Sequence, residues 1–201
     1  QLCLAPGLAG GANGIEMGVV HGSACCDGDG AAVIMVLGYS VGMQATDILH
    51  FWFVDLTDQQ HFAKDTALDE TIRTRFGATL EAAARCELFS WRATAQGRLA
   101  EILVLDQFSR NVFRDTPRAF AQDALALALA QELVAGGHDQ ALEIKQRAFA
   151  YMPYMHSESL PIHEQAVQLF DQPGLENNHD FELKHKAIIA QFGRYPHRND
   201  I

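Results

Sequence analysis

The sequence predicts an all-α fold, an array of antiparallel helical hairpins close to a solenoid in style, on three observations. Helix start and stop residues recur from Thr46 to Phe192. Between them apolar residues follow the three-to-four spacing of a helix face. After Met43 no stretch alternates in the manner of a half-buried strand. No repeat of fixed period accompanies these signals. The composition suits such a fold: 201 residues, 48% hydrophobic and 20% charged, describe one folded, water-soluble domain.

Residues 1–42 differ from the rest. They hold ten of the sixteen glycines and not one Lys or Arg, and segments such as GLAGGANG show no periodicity, so an irregular extension is expected there. The segment also lacks the basic start of a secretory signal. Met43 is followed at once by a helix start, so the expectation is that Met43 is the natural first residue. Residues 1–42 would then be an upstream extension, and residues 43–201 a single helical domain.

Taken in order, Thr46 or Asp47 can cap a first short helix whose Ile48, Leu49, Trp52 and Phe53 are apolar. Asp65, or Thr66 with Asp69, opens a second helix through Leu68, Ile72 and Phe76, with a break or bend expected at Gly77. Phe89 and Trp91 should anchor the connection that follows. Thr116 with Pro117 at the first helical position predicts one long helix closed by Gly136-Gly137. Another is expected over Ala141 to Tyr151, stopping at Pro153, and another from Pro161 to Phe170. The last, about Asp180 to Phe192, should put Phe181, His185, Ile188 and Phe192 on a core face, with Gly193 as terminator. On that face His185 reads as a hydrogen-bonded core residue.

The stretch Gly97 to Arg114, GRLAEILVLDQFSRNVFR, organises the rest. At about 100° per residue, Val104, Leu105, Phe108 and Val112 share one side while Asp106, Gln107, Arg110, Asn111 and Arg114 share the other. The polar arc continues an apolar stripe of Leu99, Ile102 and Leu103. A stripe that turns from apolar to polar partway suggests a face entering a partly enclosed cleft. Asp106, Arg110 and Arg114 are spaced four apart, so an acid can pair with one arginine while the next clamps an anion. The competing reading is an ion-pair network joining helices.

Two further constellations follow. His156 and Glu158 in MHSES, with His163 nearby, offer an imidazole and a carboxylate as a general acid or base pair, as two metal ligands in a spacing that matches no familiar site, or as a cap for the next helix. Arg194, His197, Arg198 and Asn199 in FGRYPHRN place three potential cations and an amide within six residues, or else complement a helix C-terminus. If the protein is an enzyme, His156 or His197 is the proton carrier, Glu158 its orienter and the arginines the charge clamp.

FWF at Phe51 to Phe53, LDQFSRNVFR at Leu105 to Arg114, TPRAF at Thr116 to Phe120, MHSES at Met155 to Ser159 and QFGRYPHRN at Gln191 to Asn199 together resemble a bacterial family. It is domain of unknown function nine hundred and twenty-four. The resemblance covers residues 43–201 and implies an all-helical fold related to tetratricopeptide-type arrays. It supplies no activity. Family members usually continue beyond PHRN, so a C-terminal tail is expected to be missing.

The net charge of −10 opposes binding to nucleic acid or an anionic membrane. The longest early apolar run, Ala31 to Tyr39, is shorter than the roughly 20 residues of a membrane span. Cys3, Cys25, Cys26 and Cys86 have no zinc-type spacing, so no metal and no cofactor is expected, and a reduced, cytoplasmic setting is the simpler inference. No phosphate-binding glycine loop, GxSxG elbow or HExxH motif is present. Eleven arginines to four lysines favour planar, bidentate recognition. The leading expectation is a small anionic ligand, carboxylate or phosphate bearing, held by the three constellations. The alternative is a helical scaffold that offers a groove to a protein or peptide.

Overall fold

A central helical segment runs from Ala95 to Val112, and the other helices pack around it. The computed structural model describes residues 42–198, and all regular structure among them is helical. The irregular extension expected over residues 1–42 falls outside the described residues apart from Gly42, and so does the candidate ligand residue Asn199.

Helix α1 (Ala45–His50) starts at Gln44, whose N–H donates to Asp47 Oδ2 at 2.8 Å. It widens into a π-helical turn, Phe51–Asp55. After α2 (Asp58–Phe62), Asp65 caps α3 (Thr66–Ala84) by accepting from the N–H groups of Ala67 and Leu68. The break expected at Gly77 is absent, and α3 passes through it as one continuous helix. Buried residues on both sides of the glycine, Ile72, Phe76, Leu80 and Ala83, hold the helix to the core, and that packing outweighs a propensity cost of about 1 kcal/mol.

Thr94 Oγ1 accepts from Gly97 N–H and starts α4 (Ala95–Leu103). A second π turn, Val104–Phe108, leads into α5 (Ser109–Val112). The two π turns face each other through aromatic rings. Phe108 lies 5.6 Å from Trp52 and 5.1 Å from Phe76, and Phe51 lies 4.8 Å from Phe76. Every residue from Leu99 to Ser109 is buried, polar ones included.

The single long helix expected after Pro117 is two elements. A 3-10 turn, Pro117–Phe120, precedes α6 (Asp123–Ala135), and Gly137 at φ 67° reverses the chain as the glycine pair predicts. Helix α7 (Ile144–Met155) continues through Pro153. The proline forfeits one hydrogen bond at a cost of about 3 kcal/mol. Residues 148–155 are buried all round, and each large side chain there contributes roughly 1.5–3 kcal/mol of burial, which offsets the loss.

Helices α8 (Leu160–Phe170) and α9 (Glu176–Phe192) pack on each other and on α7. Gly193 ends α9 at φ 70°. The core face expected for α9 is wrong. Phe181 and Phe192 are exposed, and the buried residues are Glu182 and Ile189. Glu182 accepts from His163 Nδ1 at 2.6 Å inside the α8–α9 contact, so a buried polar pair sets the helix rotation that an apolar stripe was expected to set. Phe89, expected as an anchor, is also exposed. No helix among the described residues is long and apolar enough to cross a membrane.

Candidate functional site

The C-terminal end of α7 is where the three sequence constellations converge. Tyr195 O–H donates to the Met155 carbonyl at 2.5 Å, and Arg198 Nη2 donates to the His156 carbonyl at 3.0 Å. Both carbonyls belong to the last turn of α7 and lack helical partners, so the FGRYPHRN segment supplies the cap. Glu158 accepts from the Tyr195 N–H at 2.9 Å, fixing the same segment from the other side.

Asp106 enters from the second π turn. It is 1% exposed, accepts from Gln107 Nε2 at 2.5 Å and from His156 Nδ1 at 2.7 Å, and lies 2.9 Å from Arg110 Nη1. Burial pushes its carboxyl up, but Arg110 and His156 beside it win and bring it down to about 2. The ionised carboxylate therefore accepts a hydrogen bond from Nδ1–H of His156, which in the neutral ring leaves Nε2 with its lone pair. Asp106, not Glu158, orients His156. The two residues of MHSES lie two apart in sequence but hold different elements.

Arg110 makes a two-pronged contact with Asp123, at 2.9 and 3.0 Å, and Arg198 Nη1 reaches the same carboxylate at 3.2 Å. Both guanidinium groups lie over the Phe120 ring, at 5.6 and 4.4 Å from its centroid. Arg114 donates from Nε and Nη2 to Asp69, at 2.6 and 2.8 Å, and Asn111 donates to Asp69 at 2.8 Å. Nη1 of Arg114 has no hydrogen bond among the described residues. Asp69, Asp123, Phe120 and Tyr195 were not expected at the site. Tyr195 belongs to the FGRYPHRN segment itself, while Asp69, Phe120 and Asp123 come from three other elements that no local spacing connects to the arginines they meet.

These groups border a cleft of about 340 Å³. Arg110, Arg114, Arg198, His156, His185 and His197 line it, with Phe120 and Tyr195. Among the described residues Asp115 is the only carboxylate on that wall. It turns the chain after α5 at φ 59°, a left-handed conformation that Asp tolerates better than most side chains, and pairs with Lys64 at 2.8 Å. Asp69, Asp106 and Asp123 stand behind the lining groups, and Glu158 is exposed and outside the lining. His185, expected in the core, is half-buried on the wall and bonds the Phe181 carbonyl through Nδ1. Arg194 is exposed and outside the lining, Gln107 and Asn111 only support it, and His163 is buried against Glu182. Among the described residues no group of three His, Cys, Asp or Glu is placed to hold a metal ion.

The segments that meet here, LDQFSRN, TPRAF, MHSES and FGRYPHRN, are those that carried the family resemblance, and a family model described as bacterial protein of unknown function (DUF924) matches residues 48–201. The chain belongs to the DUF924 family. It is also similar to a solved structure, a protein of unknown function from Agrobacterium tumefaciens. The identity is 39%, over 77% of this chain and 87% of that one, with a TM-score of 0.74. No curated protein matches.

In this DUF924 chain His156 is pulled down from its ordinary value, first by burial and then by Arg110, with Asp106 opposing. A folded-state histidine lowered in this way takes up its proton after the unfolded chain does. Stability is therefore full above about pH 6.5 and falls as pH drops below it. Urea unfolding followed by circular dichroism should show a midpoint that declines from pH 7.5 to pH 5.5. His156→Gln should flatten that decline, by up to about 1.4 kcal/mol per pH unit. An identical slope in the variant would mean that other groups carry it.

Proposed function

We propose that the cleft binds a small anionic ligand bearing a carboxylate or phosphate, with His156 as the proton acceptor at its wall. The observation that carries this reading is the layering of charge. The lining presents three guanidinium groups and three imidazoles, and the carboxylates that orient Arg110, Arg114 and Arg198 lie behind it. A guanidinium fixed on one edge by a carboxylate is pre-organised to offer its remaining N–H groups to a planar anion. Asp106 holds the His156 ring with Nε2 unprotonated, the arrangement a general base needs. For the fold, the pairing of α7, α8 and α9 supports a tetratricopeptide-like superhelix, and the cysteine pattern supports a reduced, cytoplasmic setting.

The test is thermal unfolding of the full chain with orthophosphate, acetate and succinate. At a hundredfold excess over Kd a ligand contributes about 2.7 kcal/mol, a rise in Tm of about 5–10 °C for a chain of this size. Arg114→Ala should remove the rise. That variant also leaves Asp69 short of a partner, so His197→Ala, at an exposed position on the same wall, is the second variant and should weaken the response. No rise with any of the three anions, or an equal rise in both variants, would withdraw the reading.

A second reading has one observation in its favour. An apolar groove opens beside the cleft, and a scaffold would lay a peptide there. A peptide with an uncharged, amidated C-terminus that bound as well as the free acid would favour this reading over the first.

A further inference from the structure

The polar cleft does not end at His156. A second cavity, of about 680 Å³, adjoins it and shares His156 and His185 as lining residues. Its other walls are mostly apolar, with Phe62 from α2, Ile144, Phe149, Met152 and Met155 from α7, and Phe181 from α9, while His61, Asn177 and Asn178 add uncharged polar groups. Phe62 is 70% exposed and Phe181 55% exposed, although each costs free energy in water and neither is needed to complete the core. Phe62 stacks nearly parallel on Phe149, 13° between planes, so the groove has a formed aromatic side, while Met152 and Met155 give it an adaptable floor. The charged groups on it, Lys145 and Asp58, are paired with each other at 2.5 Å. The groove is therefore mostly apolar, its Lys145 is neutralised by Asp58, and it meets the arginine-lined cleft at His156 and His185.

We propose that the ligand is amphipathic: an aliphatic carboxylate or phosphate monoester, its head among Arg114, His197 and Arg198 and its chain along the groove between α7, α2 and α9. His156 and His185 stand where head and chain join. This rests on the anionic-ligand reading and specifies its substrate class. Two cavities that share two imidazoles and divide polar from apolar walls at that point fit one molecule divided at the same point. A short anion leaves the groove empty, and a purely apolar molecule leaves the arginine wall unmatched.

The experiment is isothermal titration of the full chain, below micelle-forming concentrations, with linear alkanoates from two to ten carbons. Alkyl phosphates and primary alcohols of the same lengths form the comparison series. Each methylene drawn into the groove should tighten binding about fourfold, with a plateau once the groove is filled. Carboxylates and phosphates should both follow this course, and their ratio identifies the head group. The alcohols should bind at least tenfold more weakly at equal length. Phe181→Ser, at an exposed position on α9, removes apolar wall without adding charge and should shrink the gain with length. His197→Ala should weaken every length without changing the slope.

Binding of short anions with no dependence on length would overturn the amphipathic ligand and leave the anionic reading standing. Alcohols that bind as tightly as acids would overturn it in the other direction, since the groove alone would then be at work. Absence of binding by any anion would withdraw both.

Discussion

Asp106→Ala is expected to lower the stability of the folded chain by about 3–5 kcal/mol and to abolish anion binding in the cleft. The carboxylate is the shared partner of Arg110, His156 and Gln107. Its removal leaves the His156 ring without its partner and Arg110 with Asp123 alone, around a void in the buried interior, which costs more than the loss of an exposed pair. Urea unfolding at pH 7 reads the effect directly, and a midpoint equal to that of the unaltered chain would remove Asp106 from its central place.

Asp106→Asn tests the charge alone. The folded carboxyl titrates at about 2, below the ordinary 3.8. Its contribution is therefore full above pH 3.8 and is lost as pH falls through 2. The unaltered chain should lose on the order of 2 kcal/mol across that window that the asparagine variant does not.

Arg92→Ala should be comparably costly for stability, about 3–5 kcal/mol, and should leave the cleft untouched. Glu101 is fully buried in α4 and receives two bonds of 2.6 Å from Arg92. Neither residue lines either cavity. The double variant Arg92→Met with Glu101→Leu should recover the loss, because an apolar pair of similar volume often matches or exceeds a buried ion pair, by about 1–4 kcal/mol. Measured side by side, the Asp106 and Arg92 variants separate the two roles of buried charge in this chain. Both lower the urea midpoint, and only the first removes the response to orthophosphate. Loss of that response in Arg92→Ala would mean that the two networks are coupled through α4.

Local chemistry made the helices legible. Asp65, Gly137 and Gly193 act through backbone groups within a few residues, so their capping and turning roles can be read from neighbours alone. Failures came where distant packing overruled a local rule. Pro153 sits inside α7 because residues on every side of that helix are buried. Gly77 leaves α3 unbroken because the core holds the helix at both flanks. On α9 the apolar stripe misled because His163 and Glu182, buried together, turn the opposite face inward.

For the site, the polar arc of LDQFSRN marked the right stretch, since a dense run of charged and amide groups in an apolar helix has few explanations. Which acid each arginine meets was beyond local reading. Asp69 precedes Arg114 by 45 positions and Asp123 follows Arg110 by 13, and no periodicity relates them. Adjacency was a poor guide to His156 and Glu158, because one closes α7 and the other reaches toward the final segment.

The wide turn at Val104–Phe108 has a bearing on how this family can vary. A π turn holds one residue more than the regular winding around it, and the widened turn absorbs that residue, so the winding on either side keeps its facing. A homologue shortened by one position there would regain an even spiral and still present Arg110 and Arg114 to the cavity wall. One that lost a position in the helix but kept the wide turn would swing both side chains by about 100°. Relatives that differ by a single residue between Leu103 and Ser109 would therefore share the binding surface as well as the architecture.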